Sequence, residues 1–234
     1  MPETLLKVSD LHGWYGESHI LHGMNFEVRK GELVTLLGRN GAGKTTTLKA
    51  IMGLLRQRKG SVAFDGTETI SMAPHRIARL GVALCPEERG IFSALTVREN
   101  LHLPPVLREG GMTDEEIDRL FPRLRERWGN SGAKLSGGEQ QMLAIARILR
   151  TGATLVLLDE PTEGLAPVIV QQIRDALLEL KRRGLTVLLV EQNFRFASTV
   201  ADRHYVVEHG QVVDQMTSDE IAANTERLEA FLGV

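Results

Sequence analysis

An α/β fold with a mainly parallel sheet follows from three observations along the 234 residues. Short apolar runs bounded by turn residues recur through the chain; helical patterns separate the later ones; and one run leads into a glycine-rich loop that opens a helix. Two stretches break this rhythm, an N-terminal one that reads as β and an internal one that reads as helical and charged.

In chain order, residues 1–35 hold "LLKVSDL", "MNFEV" and the start of "LVTLLG" with no long helix between them, which predicts an antiparallel β part beside the parallel core. "SVAFDG" and "GVALCPE" are further strand candidates. Residues 92–135 follow, more helical and charged with "TVRENLHL" and "TDEEIDRLFPRLRERWG", and predict part of an inserted helical subdomain, after which "QMLAIARIL" is a helix pattern. The parallel rhythm then resumes with "ATLVLLDEP" and "LTVLLVEQ". Between those two, "PVIVQQIRDALLELKRRG" places Ile169, Ile173, Ala176, Leu177 and Leu180 on one face, with Pro167 suited to a helix start and Gly184 to its end. "RHYVVEHGQVVDQM" reads as a hairpin turning at His209 and Gly210.

Composition is that of an ordinary globular chain, 42% hydrophobic and 25% charged, with a net charge of −2 that gives no basic field for nucleic acid or anionic lipid. The one cysteine, Cys85, has no partner for an internal disulfide and reads as a small buried hydrophobe. No signal-peptide pattern opens the chain, and no window approaches the ~18 apolar residues of a membrane span. A soluble cytoplasmic protein is expected, reaching a membrane only through a partner.

The motif with the most chemistry is "GRNGAGKTTTLKA", directly after the apolar run "LVTLL". Gly38, Gly43, Lys44 and Thr45 have the spacing of a P-loop, in which backbone amides turn toward one anion and the helix start adds its partial positive charge. Lys44 supplies a mobile ammonium and Thr45 a hydroxyl for Mg²⁺. Such a loop requires a carboxylate on the metal side and a group to position water. "TLVLLDEP" offers both: Asp159 to hold Mg²⁺ and Glu160 to take a proton from water or orient it.

In "KLSGGEQQMLAIARIL", Ser136 and Glu139 form a capping box before an apolar helix. That leaves Gly137 and Gly138 unexplained, since glycine in a helix costs up to ~1 kcal/mol relative to alanine. A ligand approaching bare backbone would explain them, giving a second anion site at a helix start.

With these residues in view, the chain resembles the nucleotide-binding subunits of ABC transporters over essentially its whole length. "GRNGAGKTT" is similar to their Walker A motif, "LSGGEQQ" to their signature and "LVLLDEP" to their Walker B, in the family's order. The resemblance implies one nucleotide-binding domain over residues 1–234, a P-loop NTPase with a RecA-like core. It implies ATP and Mg²⁺ as ligands, with Arg39, Asn40, Gly41, Ala42 and Thr46 completing the loop that binds ATP. It also implies a head-to-tail dimer in which Ser136, Gly137, Gly138 and Glu139 of one subunit close on ATP held by the other. Residues 92–150 would form the helical subdomain that touches membrane permease subunits, placing the protein on the inner face of the cell membrane. Tyr15 falls where the family stacks an aromatic on adenine, with Trp14 as a rival. His12, His19 and His22 lie nearby in no metal-ligand pattern.

Three positions depart from the family. Glu87 stands where most members carry a Gln at Mg²⁺, Ala166 where many have an Asp crossing the dimer, and Gln192 where a His usually senses the γ-phosphate. Together, "PEERGIF", "EPTEGLAPVIVQQI", "LLVEQN" and "YVVEHGQVV" resemble one of the two ATPase subunits of branched-chain amino acid importers. The partner would be a sister ATPase or a second copy, served indirectly by a solute-binding protein. Importers of urea or short amides share much of the pattern, and a module that closes on ATP with weak or no hydrolysis is the other alternative. Gln192 is expected at the end of a strand lying beside that of Asp159, with Glu191 and Asn193 as solvated or supporting groups.

Overall fold

Residues 33–37, 155–159 and 186–191 are buried along their whole length, which only a strand covered on both faces can achieve. The structure, a computed structural model, describes residues 3–223. Thr4–Tyr15 forms β1, Ser18–Arg29 β2, Leu33–Leu37 β3, Lys44–Ile51 α1, Gln57–Phe64 β4, Thr67–Glu68 β5, Pro74–Leu80 α2 and Val82–Cys85 β6. The helical stretch then carries α3 (Val97–His102), α4 (Asp114–Leu120), α5 (Pro122–Glu126), a 3-10 turn at Gly132–Lys134 and α6 (Gly137–Leu149). After it come β7 (Leu155–Asp159), α7 (Pro167–Arg182), β8 (Thr186–Glu191), α8 (Phe194–Ser198), β9 (Arg203–Glu208), β10 (Gln211–Thr217) and α9 (Ser218–Ala223).

The strands form two sheets, β2-β1-β4-β5 and β10-β9-β3-β8-β7-β6. In the larger one β3 lies parallel to β8 and β9, and β7 parallel to β8 and β6, while β10 pairs antiparallel with β9. Alternation divides the core. Val156, Leu158, Val187 and Leu189 face α6 and α7, whereas Leu155, Leu157, Leu188 and Val190 face α1 and the antiparallel sheet.

The predicted P-loop core with a parallel sheet and added antiparallel β is therefore present, and all eight apolar runs are strands. The N-terminal boundary is corrected. Residues 33–35 belong to β3 of the parallel sheet, and β4 and β5 complete the antiparallel one. "SVAFDG" joins β1 through register pairs such as Leu6↔Phe64 and Val8↔Val62, a long-range pairing that no local pattern announces. Residues 92–150 contribute helices and no strand to either sheet. Residues 1–2 and 224–234, the ends of the expected single domain, lie outside the described residues.

α7 buries Ile173, Ala176, Leu177 and Leu180 as its periodicity requires, begins at Pro167 and ends before Gly184. The β9–β10 hairpin pairs Glu208 with Gln211, and its two turn residues, His209 and Gly210, have φ of 48° and 72°, the left-handed pair of a type I′ turn. Cys85 is buried, and that burial pushes its thiol up to about 12. Among the described residues no helix is long and apolar enough to cross a membrane.

Candidate functional site

The carboxyl ends of β3, β7 and β8 lie side by side in the parallel sheet, and the polar residues that follow each strand meet there. After β3, Gly38 is required by close approach, since a Cβ on it would lie 2.4 Å from the Val207 carbonyl oxygen. The loop turns through Arg39, Asn40, Gly41 and Ala42 to Gly43, the N-cap of α1. Lys44 is buried and its Nζ donates to the carbonyls of Gly38 at 2.8 Å and Arg39 at 3.1 Å. Lys44 also forms an ion pair with Glu160 at 3.0 Å. Thr45 Oγ1 donates to Asp159 Oδ1 at 3.0 Å, which joins the loop of β3 to the end of β7.

Asp159 is buried, and burial, assisted by the charges of Glu160 and Glu87, pushes its carboxyl up to about 6 despite the hydrogen bond from Thr45. Glu160, one residue on, has a left-handed backbone with φ of 44°, which costs on the order of 1 kcal/mol outside glycine. Its N–H donates to the Val190 carbonyl at 3.0 Å, holding that conformation against β8. A cavity of about 400 Å³ is lined by Tyr15, Asn40, Gly41, Gly43, Lys44, Thr45, Thr46, Glu87, Glu160 and Glu163. A second, of about 450 Å³, is shared through Glu160 and Glu163 and is lined also by Thr162, Glu191, Gln192 and Arg195.

The predicted residues thus fall into three places. Tyr15, most of the loop, Glu87 and Glu160 line the first cavity, and Asp159 is bonded to Thr45 in its wall. Gln192 is exposed and lines the second cavity. Ser136–Glu139 line neither.

Strand geometry separates the surroundings of Trp14 and Tyr15. Trp14 stacks on His19 at 4.3 Å between ring centroids, within a group that includes His12, while the adjacent Tyr15 is 49% exposed at the first cavity. The three histidines are occupied with one another and with Asp10, and among the described residues no group of three or more His, Cys, Asp or Glu has metal-holding geometry.

At the start of α6 the capping box is complete. Ser136 Oγ accepts from the Glu139 N–H, and the Glu139 carboxylate accepts from the Ser136 N–H at 2.8 Å and pairs with Arg127 at 3.4 Å. Glu139 is buried and engaged inside the chain. Gly138 also has an in-chain reason, because a Cβ there would lie 2.8 Å from Ile169 of α7. Ala166, the N-cap of α7, leaves that helix start without a side-chain cap.

The expectation that Glu191 is solvated is corrected, leaving its supporting role. Its carboxylate is 3% exposed and accepts from Thr162 Oγ1 at 2.7 Å, and burial pushes it up to about 7. β8 is a central strand, so its last residue still lies between β3, where Leu37 pairs with it, and the segment leaving β7. Periodicity shows that β8 is buried but not how far along it the cover extends. Asn193, by contrast, is exposed and caps α8 by accepting from the Phe196 N–H at 3.1 Å.

The donor set suits a hard divalent cation: Thr45, Asp159 and Glu87 offer oxygen only, and Glu160 and Glu163 add to the negative charge of a cavity with Lys44 as its lining cation. A P-loop at the carboxyl end of a central parallel strand, with a strand-end Asp-Glu pair beside it, defines a P-loop ATPase site. The profile described as ABC transporter matches residues 21–163, and the chain belongs to that family. It is 42% identical over 232 residues to the high-affinity branched-chain amino acid transport ATP-binding protein BraG of Pseudomonas aeruginosa, covering 98% of this chain and 100% of that one. It is 35% identical over 234 residues to the probable branched-chain amino acid transport ATP-binding protein LivF of Archaeoglobus fulgidus, covering 98% and 99%. A nucleotide-free ATP-binding cassette from an ABC transporter superposes with a TM-score of 0.85 over 99% of both chains at 24% identity, a likeness of fold.

Proposed function

We propose that this chain is the ATP-binding and ATP-hydrolysing subunit of a membrane importer for branched-chain amino acids. The observation that carries the reading is the convergence of Lys44, the Thr45–Asp159 pair and Glu160 at one cavity. The kinship with BraG and LivF supports the solute, and neither name favours urea or short amides.

In this reading the loop amides of residues 38–46 and the Lys44 ammonium bind the phosphates of ATP, and Tyr15 stacks on adenine. Thr45, Asp159 and Glu87 would hold Mg²⁺, which when bound offsets phosphate charge as it develops. Lys44 exchanges its contacts with the loop carbonyls and Glu160 for phosphate oxygens, freeing the Glu160 carboxylate. Glu160 then accepts a proton from the water whose oxygen attacks the γ-phosphorus, as the bond to the bridging oxygen breaks and ADP leaves. Gln192, across the shared wall, donates its amide N–H to the γ-phosphate; it is always neutral, unlike a histidine.

Ser136, Gly137 and Gly138 serve ATP held by the other subunit of a dimer, formed with a second copy or a sister ATPase. Glu139 supports them through the capping box. The helices of residues 92–150 meet the permease, so the chain is cytoplasmic and peripheral on the inner face of the membrane, with a solute-binding protein on the far side. The test is ATP-dependent uptake of Leu, Ile, Val and urea by the chain assembled with its permease and solute receptor. Uptake of the three amino acids but not urea is expected. Uptake of urea alone would overturn the solute, and uptake of none the importer.

A further inference from the structure

Glu160 and Gln192 follow the ends of different strands, β7 and β8, yet hydrolysis needs both at fixed places around one phosphate. Two bonds tie those strand ends together. The Glu160 N–H donates to the Val190 carbonyl at 3.0 Å, and Thr162 Oγ1 donates to Glu191 Oε1 at 2.7 Å. They bracket the pair from both sides: Glu160 lies between its own bonded amide and Thr162, and Gln192 directly follows Glu191. The second bond is set in the interior, with Glu191 and Thr162 both buried. The backbone N–H groups of Thr162 and, at 3.4 Å, of Asn193 also face the Glu191 carboxylate. Even so, a buried carboxylate is costly compared with an apolar residue, which local stability alone would favour at a strand end.

We propose that Glu191 is a positioning residue for hydrolysis, holding Thr162, and with it the left-handed turn at Glu160, in register with Gln192. The inference rests on the ATPase reading above. The charged groups facing Glu191 are Glu160 and Glu163 of the segment after β7 and Arg195 of α8; β3 presents the apolar Leu37. Glu191 accordingly acts on the position of the group that takes the proton.

The experiment measures kcat, KM for Mg-ATP and the pH profile of kcat in the assembled transporter for wild type, Glu191→Ala, Thr162→Val and Glu191→Gln. Thermal unfolding of each identifies any variant that fails to fold, and Glu191→Gln, which keeps an acceptor for Thr162, serves if the alanine variant does. Glu191→Ala and Thr162→Val should lower kcat by about tenfold or more, the scale of a misplaced catalytic group, with KM within about twofold. Glu191→Gln should recover most of that kcat while losing an inflection of the wild-type profile near neutrality. Wild-type kcat in Thr162→Val, or a Glu191→Gln profile identical to wild type, would overturn the proposal. Absence of phosphate release from the wild type would instead refute the ATPase reading and carry this inference with it.

Discussion

Replacing Glu191 by glutamine should make folding stability less dependent on pH, by an amount that follows from its burial. In the unfolded chain the carboxyl titrates near 4.5, and in the folded protein burial moves it to about 7. Below pH 4.5 both states hold the proton. Between the two values the folded state keeps it and the unfolded state has lost it, so stability is lost as pH rises through 7. A gap of roughly 2.5 pH units, at about 1.4 kcal/mol each, amounts to about 3 kcal/mol. Asp159 titrates with the same sign, from 3.8 to about 6, but is present in both proteins and drops out of their difference. Urea unfolding of the nucleotide-free protein at pH 4.5 and pH 8.5 measures the effect. Relative to wild type, Glu191→Gln should gain about 3 kcal/mol between the two. A difference that stays constant with pH would show that Glu191 carries its charge at no cost in the fold.

Three further outcomes follow from the site. Tyr15→Ala should weaken ATP binding by roughly tenfold, as expected for one lost stacking contact of about 1 kcal/mol or more, while Trp14→Ala leaves it unchanged because Trp14 is stacked on His19; titration of a fluorescent ATP analogue distinguishes them. Gln192→Ala should lower phosphate release in the assembled transporter by about tenfold to a hundredfold, the scale of one lost donor to developing charge. Ser136→Ala should cost about 1 kcal/mol through the broken capping box, read by chemical denaturation of the isolated chain.

Features written in consecutive residues were legible in the sequence. The P-loop, the Asp159–Glu160 strand end, the capping box of α6 and the face of α7 each depend on spacing within one element, and the structure places them as the spacing requires. What escaped depends on distant partners. The strand "SVAFDG" could have joined either sheet, and only its register with β1 decides. The approach of Ile169 of α7 to Gly138, close enough to crowd a Cβ there, is likewise set by residues far apart in the chain. Glu191 reads as a strand exit because a carboxylate usually marks water, and its cover comes from Thr162, 29 residues earlier in the chain. Trp14 and Tyr15 are adjacent aromatics whose difference lies in which face of β1 each takes, and the register shift between Gly13 and Trp14 is invisible to an alternation count.

In the proposed mechanism Glu160 takes the proton of the attacking water at a site built by Lys44, Thr45 and Asp159. Phosphate release from Mg-ATP by the transporter assembled with Glu160→Gln tests it most directly, beside equilibrium binding of ATP to the same assembly. Release should fall by about a hundredfold or more, the upper range for a lost general base, while ATP remains bound as tightly as in the wild type. Phosphate release at the wild-type rate would show that another group takes the proton.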